Sequence, residues 1–296
     1  MKLLSSLPLQ TLLLLSTLLL TPTTALQDNN NQSPAMAKHN DGKAQKRNTK
    51  YFHEPGTGSL MSHYDSRYYK GQIPYADHGS NLQHLIRSYL TVFRDLGVET
   101  WLAHGTLLGW WWNGKIMPWD YDLDVQVSNA TLAYLGEHHN RTLHEYVFVN
   151  ETSGNKEKKT FLLDINPHHL DRDRGDGQNV IDARWIDTEN GMFVDITGVA
   201  ERDPDKNPGI WSCKNFHRYR TRDLYPMRET EYEGVAATVP YAFERILIEE
   251  YGSKSLVMTE WKEHKWEPAV KEWIKVPEQK PIEKKKPAEG KMKPAP

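Results

Sequence analysis

One cysteine, Cys213, stands in 296 residues, so no intramolecular disulfide can form and the fold must rest on its apolar core. Concentrated charge is missing as well. The formal net charge is −2, and the one dense basic run lies at the C-terminal end, which leaves no electrostatic footprint for a nucleic acid or an anionic membrane surface. Long apolar runs are absent from the body of the chain. The run from Leu12 to Leu20 falls short of the roughly 20 residues of a comfortable membrane span.

With Lys2 ahead of that run and small residues before a cut after Ala25, residues 1–25 read as a secretory signal peptide. An uncleaved signal anchor, recruiting Leu3 to Leu9 and giving membrane association, is the alternative. Asn31, Asn129, Asn140 and Asn150 each open an N-x-S/T triplet, candidate glycosylation sites that agree with passage through the secretory pathway. Asn129 has a second reading as a helix N-cap. Residues 26–50 are polar with almost nothing to bury and read as a disordered linker. From residue 276 the sequence turns rich in Lys, Pro and Glu, the composition of a solvated tail. The domain is therefore expected over 51–275, where ten Trp in a chain 38% hydrophobic supply a core.

Within it, Leu82, Leu85, Ile86, Tyr89, Phe93 and Leu96 recur at helical spacing, with Ser80 as the expected cap and Gly97 as the stop. "VETWLAH" is a short β-prone run broken at Gly105-Thr106, and "LLGWWW" follows as a short helix. "DLDVQV" alternates with period two, which predicts a strand presenting Asp122 and Asp124 on one face. "TFLLDI", "NVIDARWI" and "GMFVDITGV" predict further strands, and "PYAFERILIEEYG" a late helix ended by Gly252. The expected fold class is α/β or α+β, a mixed sheet covered by helices on at least one face.

Two carboxylates at i and i+2 of a strand lie about 6 to 7 Å apart, within reach of one divalent cation and repulsive without it. Mg²⁺ or Mn²⁺ resolves the conflict. A strand ending in Gly105-Thr106, a short helix and then the paired acids is the pattern of the nucleotidyltransferase fold, in which backbone near the Gly-Thr pair cradles a phosphate and the acids hold the metal. A third acid is expected on a later strand: Asp195 within "FVDI" is favoured, with Asp164 as competitor. Asp120 reads either as a further metal ligand or as a turn residue behind the site. Lys115 and His104 are candidates for a donor phosphate, against bland readings as a solvated lysine and a strand-end histidine. Trp110, Trp111 and Trp112 cannot all face one ligand, because successive helical residues diverge by about 100°. Cys213 with His217 has the spacing of half a zinc site, but a buried thiol is the default. The stretch holding His168, His169, Asp171 and Asp173 reads as a surface loop, and Tyr219, Arg220 and Arg222 as distant candidates for donor phosphates.

"HGTLLGWWWNGKIMPWDYDLDV" resembles the signature of the LicD and fukutin family, H/G-T-L-L-G, a basic residue and then I-P-W-D-x-D-x-D. "YFHEPG", "HYDSRYYKG", "VIDARWIDTENGMFVDIT" and "EGVAATVPYAFERILIEEYG" are similar to its fungal branch, associated with mannosylphosphate transfer to glycans. The resemblance implies a phosphosugar transferase of the Golgi lumen or membrane, with GDP-mannose as donor, a mannose of a glycan as acceptor and GMP as product. It also implies a rival, a catalytically silent regulator or glycan-binding subunit supporting a partner transferase. A D-x-D glycosyltransferase that moves sugar without phosphate is the third reading.

Overall fold

A computed structural model describes residues 50–150 and 153–277. The leader, Asn31, the linker up to residue 49 and the tail from residue 278 lie outside the described residues.

Helix α1 spans Tyr75–Asp95. It starts behind Pro74, not at Ser80, because the fixed φ of proline suits a helix entry and Ser80 Oγ instead donates to Asp77 O one turn back. Gly97, at φ 67°, ends it as expected. Leu82, Leu85, Ile86, Tyr89 and Phe93 are all buried on one face. They pack on the sheet, where Trp185 donates through Nε1 to Ser88 Oγ at 3.0 Å and lies in stacked orientation over Phe161. Burying each such side chain stabilises the fold by roughly 1.5–3 kcal/mol, enough in sum to dispense with disulfides.

Strand β1 (Trp101–Leu102) leads into α2 (His104–Asn113), and β2 (Asp124–Ser128) into α3 (Asn129–His138). The Gly105-Thr106 pair thus lies in the first turn of α2 and not in an open turn. Ser128, whose Oγ accepts from Thr131 N, caps α3, so Asn129 is its first residue rather than its cap. Strands β3 (Thr142–Val149), β4 (Lys156–Ile165), β5 (Ala183–Asp187) and β6 (Phe193–Glu201) follow, then β7 (Ile210–Ser212), β8 (Arg218–Arg220) and the single turn α4 (Thr221–Leu224). A hairpin of β9 (Arg228–Tyr232) and β10 (Val235–Val239) precedes α5 (Phe243–Tyr251), and a small sheet of β11 (Glu260–Trp261), β12 (His264–Glu267) and β13 (Glu272–Lys275) completes the described chain.

The main sheet runs β1-β2-β6-β5-β4-β3, with β7 and β8 extending from β6. The pair β2–β6 is parallel and the rest antiparallel, the mixed α/β sheet expected. Every residue of β5 is buried, whereas β3 alternates between half-buried and exposed, as an edge strand with one wet face must. The parallel register sets Asp124 beside Asp195, and the next two pairings set Arg184 beside Asp195 and Asp164 beside Arg184. One row of charge therefore crosses four strands.

Candidate active site

Partners in register project from the same face of a sheet, so Asp124 and Asp195 stand side by side. Asp122 lies in the extended lead-in to β2 rather than within it, because the strand begins at Asp124. Leu123, buried between the two, keeps both carboxylates on one side, and its carbonyl still accepts from Asp195 N at 2.9 Å. Thr106 fixes the strand end: its Oγ1 accepts from Asp124 N at 2.9 Å, so this buried hydroxyl ties α2 to β2.

Asp120 N donates to Met117 O, a turn that brings the carboxylate back over the start of α2. A Cβ on Gly105 would stand 2.9 Å from Asp120 Oδ2, so glycine alone leaves that approach open. Asp120 also shares a hydrogen bond with Asp122. Burial, followed by the charges of Asp122 and Asp124, pushes Asp120 up to about 8. Burial likewise pushes Asp124 up to about 7, with His104 opposing and Asp122 and Asp195 adding. Burial raises Asp195 too, against the opposing charge of Arg184. Burial first, and mutual repulsion second, hold these three acids above their ordinary range.

Asp195 has its own counter-ion. Arg184 Nε donates to Asp195 Oδ1 at 2.8 Å and Arg184 Nη2 to Glu54 Oε1 at 2.8 Å, while the guanidinium covers the Phe193 ring at 3.6 Å. Asp164 is not the third acid of the cluster. Arg67 Nη1 and the Tyr51 hydroxyl hold it at 2.6 and 2.8 Å, two strands away from Asp195. Asp120, Asp122 and Asp124 line one cavity with Asp195 beside Asp124 in register, oxygen donors of the kind a hard divalent cation takes, although no three of these carboxylates come within 4.8 Å of one another.

A cavity of about 510 Å³ opens in front of the acids, with Trp112, Trp119, Trp261 and Trp273 as its aromatic wall and Lys254 and Lys262 as its cations. A second cavity, about 470 Å³, meets it at Trp119, Asp120, Asp122 and Lys262. Of the three adjacent tryptophans, Trp112 alone lines the site; Trp110 packs edge-on against Phe243 and donates to Thr230. Lys115 lies elsewhere, in an ion pair with Glu272 at the surface, and Lys262 is the cation whose charge acts on Asp120. His104, at φ 52° in the left-handed region, turns its ring toward Glu250, with Nδ1 2.6 Å from Oε1.

The remaining candidates fall outside this cluster. The Tyr219 hydroxyl accepts from buried Gln126, and Arg220 lines a separate cavity with Arg202, Arg218 and Arg245. His168 pairs with Asp171 in a loop without regular structure. Asn129 is half-buried, with Oδ1 2.9 Å from where a Cβ on Gly198 would be, whereas Asn140 is exposed and accepts from Ile165 N. Asn150 donates to Glu157 at 2.8 Å.

Residues 97–242 match the family described as LicD/FKTN/FKRP, nucleotidyltransferase domain. That stretch of the chain is similar to a LicD-family domain. The match takes in all four acids, Gly105 and Thr106, and stops before α5 and the small sheet that complete the aromatic wall. The chain is also 32% identical over 158 residues to mannosyltransferase regulator 4 of Saccharomyces cerevisiae and 36% identical over 121 residues to mannosyltransferase regulator 14 of the same yeast. These stretches cover 51% and 41% of this chain but only 13% and 12% of the two regulators.

Two residues that line the cavity, Lys262 and Trp273, carry no local mark in the sequence. Arg184 left one signal, a charged residue within the apolar run "ARWI", which demands a partner.

Proposed function

We propose that the protein is a metal-dependent phosphosugar transferase that passes mannose 1-phosphate from GDP-mannose to a hydroxyl of a mannan glycan in the Golgi lumen. The observation that carries this reading is the gathering of Asp120, Asp122 and Asp124 on one cavity with Asp195 beside Asp124 in register, where burial and then mutual repulsion push Asp120 and Asp124 up to about 8 and 7. A domain serving only as a scaffold gains nothing from four acids that repel one another.

The acids would hold Mg²⁺ or Mn²⁺, which when bound neutralises charge on the donor's diphosphate. Lys254 and Lys262 bind the same phosphates from the cavity wall, and the tryptophans offer faces to the base and the sugar. A volume of about 510 Å³ suits a nucleotide sugar. The neighbouring cavity brings the acceptor to Asp120 and Asp122 from the other side. The acceptor oxygen bonds to the β-phosphorus, the bond from that phosphorus to the bridging oxygen breaks, and GMP leaves with the electron pair. The hydroxyl proton passes to a carboxylate. Arg184 occupies Asp195 Oδ1, which leaves Asp195 Oδ2 for that role.

The names of the two yeast relatives favour a second reading, a regulatory subunit that lends its glycan-binding cavity to a partner mannosyltransferase. Incubation of the purified chain with GDP-mannose, Mn²⁺ and a mannose oligosaccharide separates the two. GMP together with a phosphodiester-linked mannose supports the transferase. GDP points to plain sugar transfer, and neither nucleotide, with glycan binding intact, to the regulator.

A further inference from the structure

Behind the carboxylate cluster lies a second group of metal-ligating side chains that the transfer chemistry does not use. His104 opens α2, His217 sits in the turn between β7 and β8, and Glu250 is the penultimate residue of α5. One ligand atom from each lies within 4.8 Å of the others. The imidazole rings face each other at 4.2 Å between centroids. His217 Nδ1 is engaged by Cys213 Sγ at 3.3 Å, which leaves Nε2 as its ligating nitrogen. This is the arrangement in which a partner behind a histidine fixes its tautomer and ring orientation.

Glu250 is held as well, by His104 Nδ1 at 2.6 Å and by a hydrogen bond from the Tyr251 side chain. A cavity of about 200 Å³, lined by His217 and Glu250, gives access from solvent and leaves room for a water. Among the described residues no other group of three His, Cys, Asp or Glu side chains meets this spacing.

We propose that His104, His217 and Glu250 bind one ion of the Zn²⁺ class at a site separate from the carboxylate cluster. Two imidazoles and one carboxylate with an open fourth position form a donor set that favours zinc, whereas an all-oxygen set favours Mg²⁺ or Mn²⁺. The two sites touch through His104, whose ring feels the charges of Asp124 and Asp122. An ion here would add positive charge beside the acids without entering the donor cavity.

The full chain, stripped by chelation, is titrated with Zn²⁺ and then with Co²⁺, whose visible d–d bands report nitrogen ligation. Wild type should bind one zinc ion. His217→Ala and Glu250→Gln should each weaken it by at least about tenfold, and Asp122→Asn should leave it unchanged. Circular dichroism monitors folding of His217→Ala, and Glu250→Gln, which keeps the size of the side chain, gives a second reading should that variant unfold. Zinc held as tightly by Glu250→Gln as by wild type would overturn the proposal, and so would zinc lost in Asp122→Asn but kept in His217→Ala. The readout is metal binding and not turnover, so its outcome is independent of whether the transferase reading stands.

Discussion

Asp195 stands beside Asp124 in the parallel pair β2–β6, and Arg184, its partner on the next strand, donates to it at 2.8 Å. That single register places an acid in a salt bridge next to acids with none at salt-bridge distance among the described residues. Asp124 and its neighbours Asp120 and Asp122 are therefore the ones that call for an ion.

Asp122→Asn and Asp124→Asn should each reduce metal-dependent transfer to background. Their thermal midpoints without metal should equal or exceed that of wild type, because repulsion is relieved and the backbone bond from Asp124 N to Thr106 is untouched. Turnover assays beside thermal melts decide this. A lowered midpoint in both variants would mark the acids as structural.

Arg184 behaves differently. Its replacement by Met keeps most of the packing on Phe193 but leaves Asp195 and Glu54 without their partner, and a stability loss of about 3–5 kcal/mol is expected in urea titration. A loss under about 1 kcal/mol would show that the ion pairs do not hold the third acid in place.

The sequence revealed residue types and local periods, and with them α1, α5, the acids and the strands β1, β2, β4, β5 and β6, but not β3 or the short strands after β6. Pairing across the sheet was hidden because register is a non-local property. Nothing near Asp195 announces that its partners are Asp124 and Arg184. The entry of α1 was misplaced at Ser80 because Pro74 supplies the helical φ without a capping side chain. Lys115 looked like the phosphate lysine by its position in the motif, yet it pairs with Glu272, and Lys262 arrives from the small sheet that the motif does not reach.

Stability should depend on pH through the acids. With Asp120 raised to about 8 and Asp124 to about 7, the folded state holds protons that the unfolded chain releases near pH 4. Stability of the metal-free protein is then greatest below that pH as far as these groups are concerned, and declines as pH rises through 7 and 8. Added Mn²⁺ should raise the melting temperature more at pH 8 than at pH 6, as scanning calorimetry at the two values would show. An equal rise at both would contradict the raised carboxylates.

Gly105→Ala should cost activity more than stability. The added methyl meets Asp120 Oδ2 at 2.9 Å and displaces the carboxylate, whereas alanine suits the helix. A loss in kcat of at least about tenfold, with an unchanged midpoint, is the expected pattern. Lys262→Met should raise the KM for the donor, while Lys115→Ala should leave both constants near wild type.

The most direct test of the account is a crystal of the protein soaked in Mn²⁺ and measured at a wavelength where manganese scatters anomalously. A peak bounded by the carboxylates of Asp122, Asp124 and Asp195, with Asp120 beside it, is the expected result. Saturating Mn²⁺ with no peak among those carboxylates would contradict it.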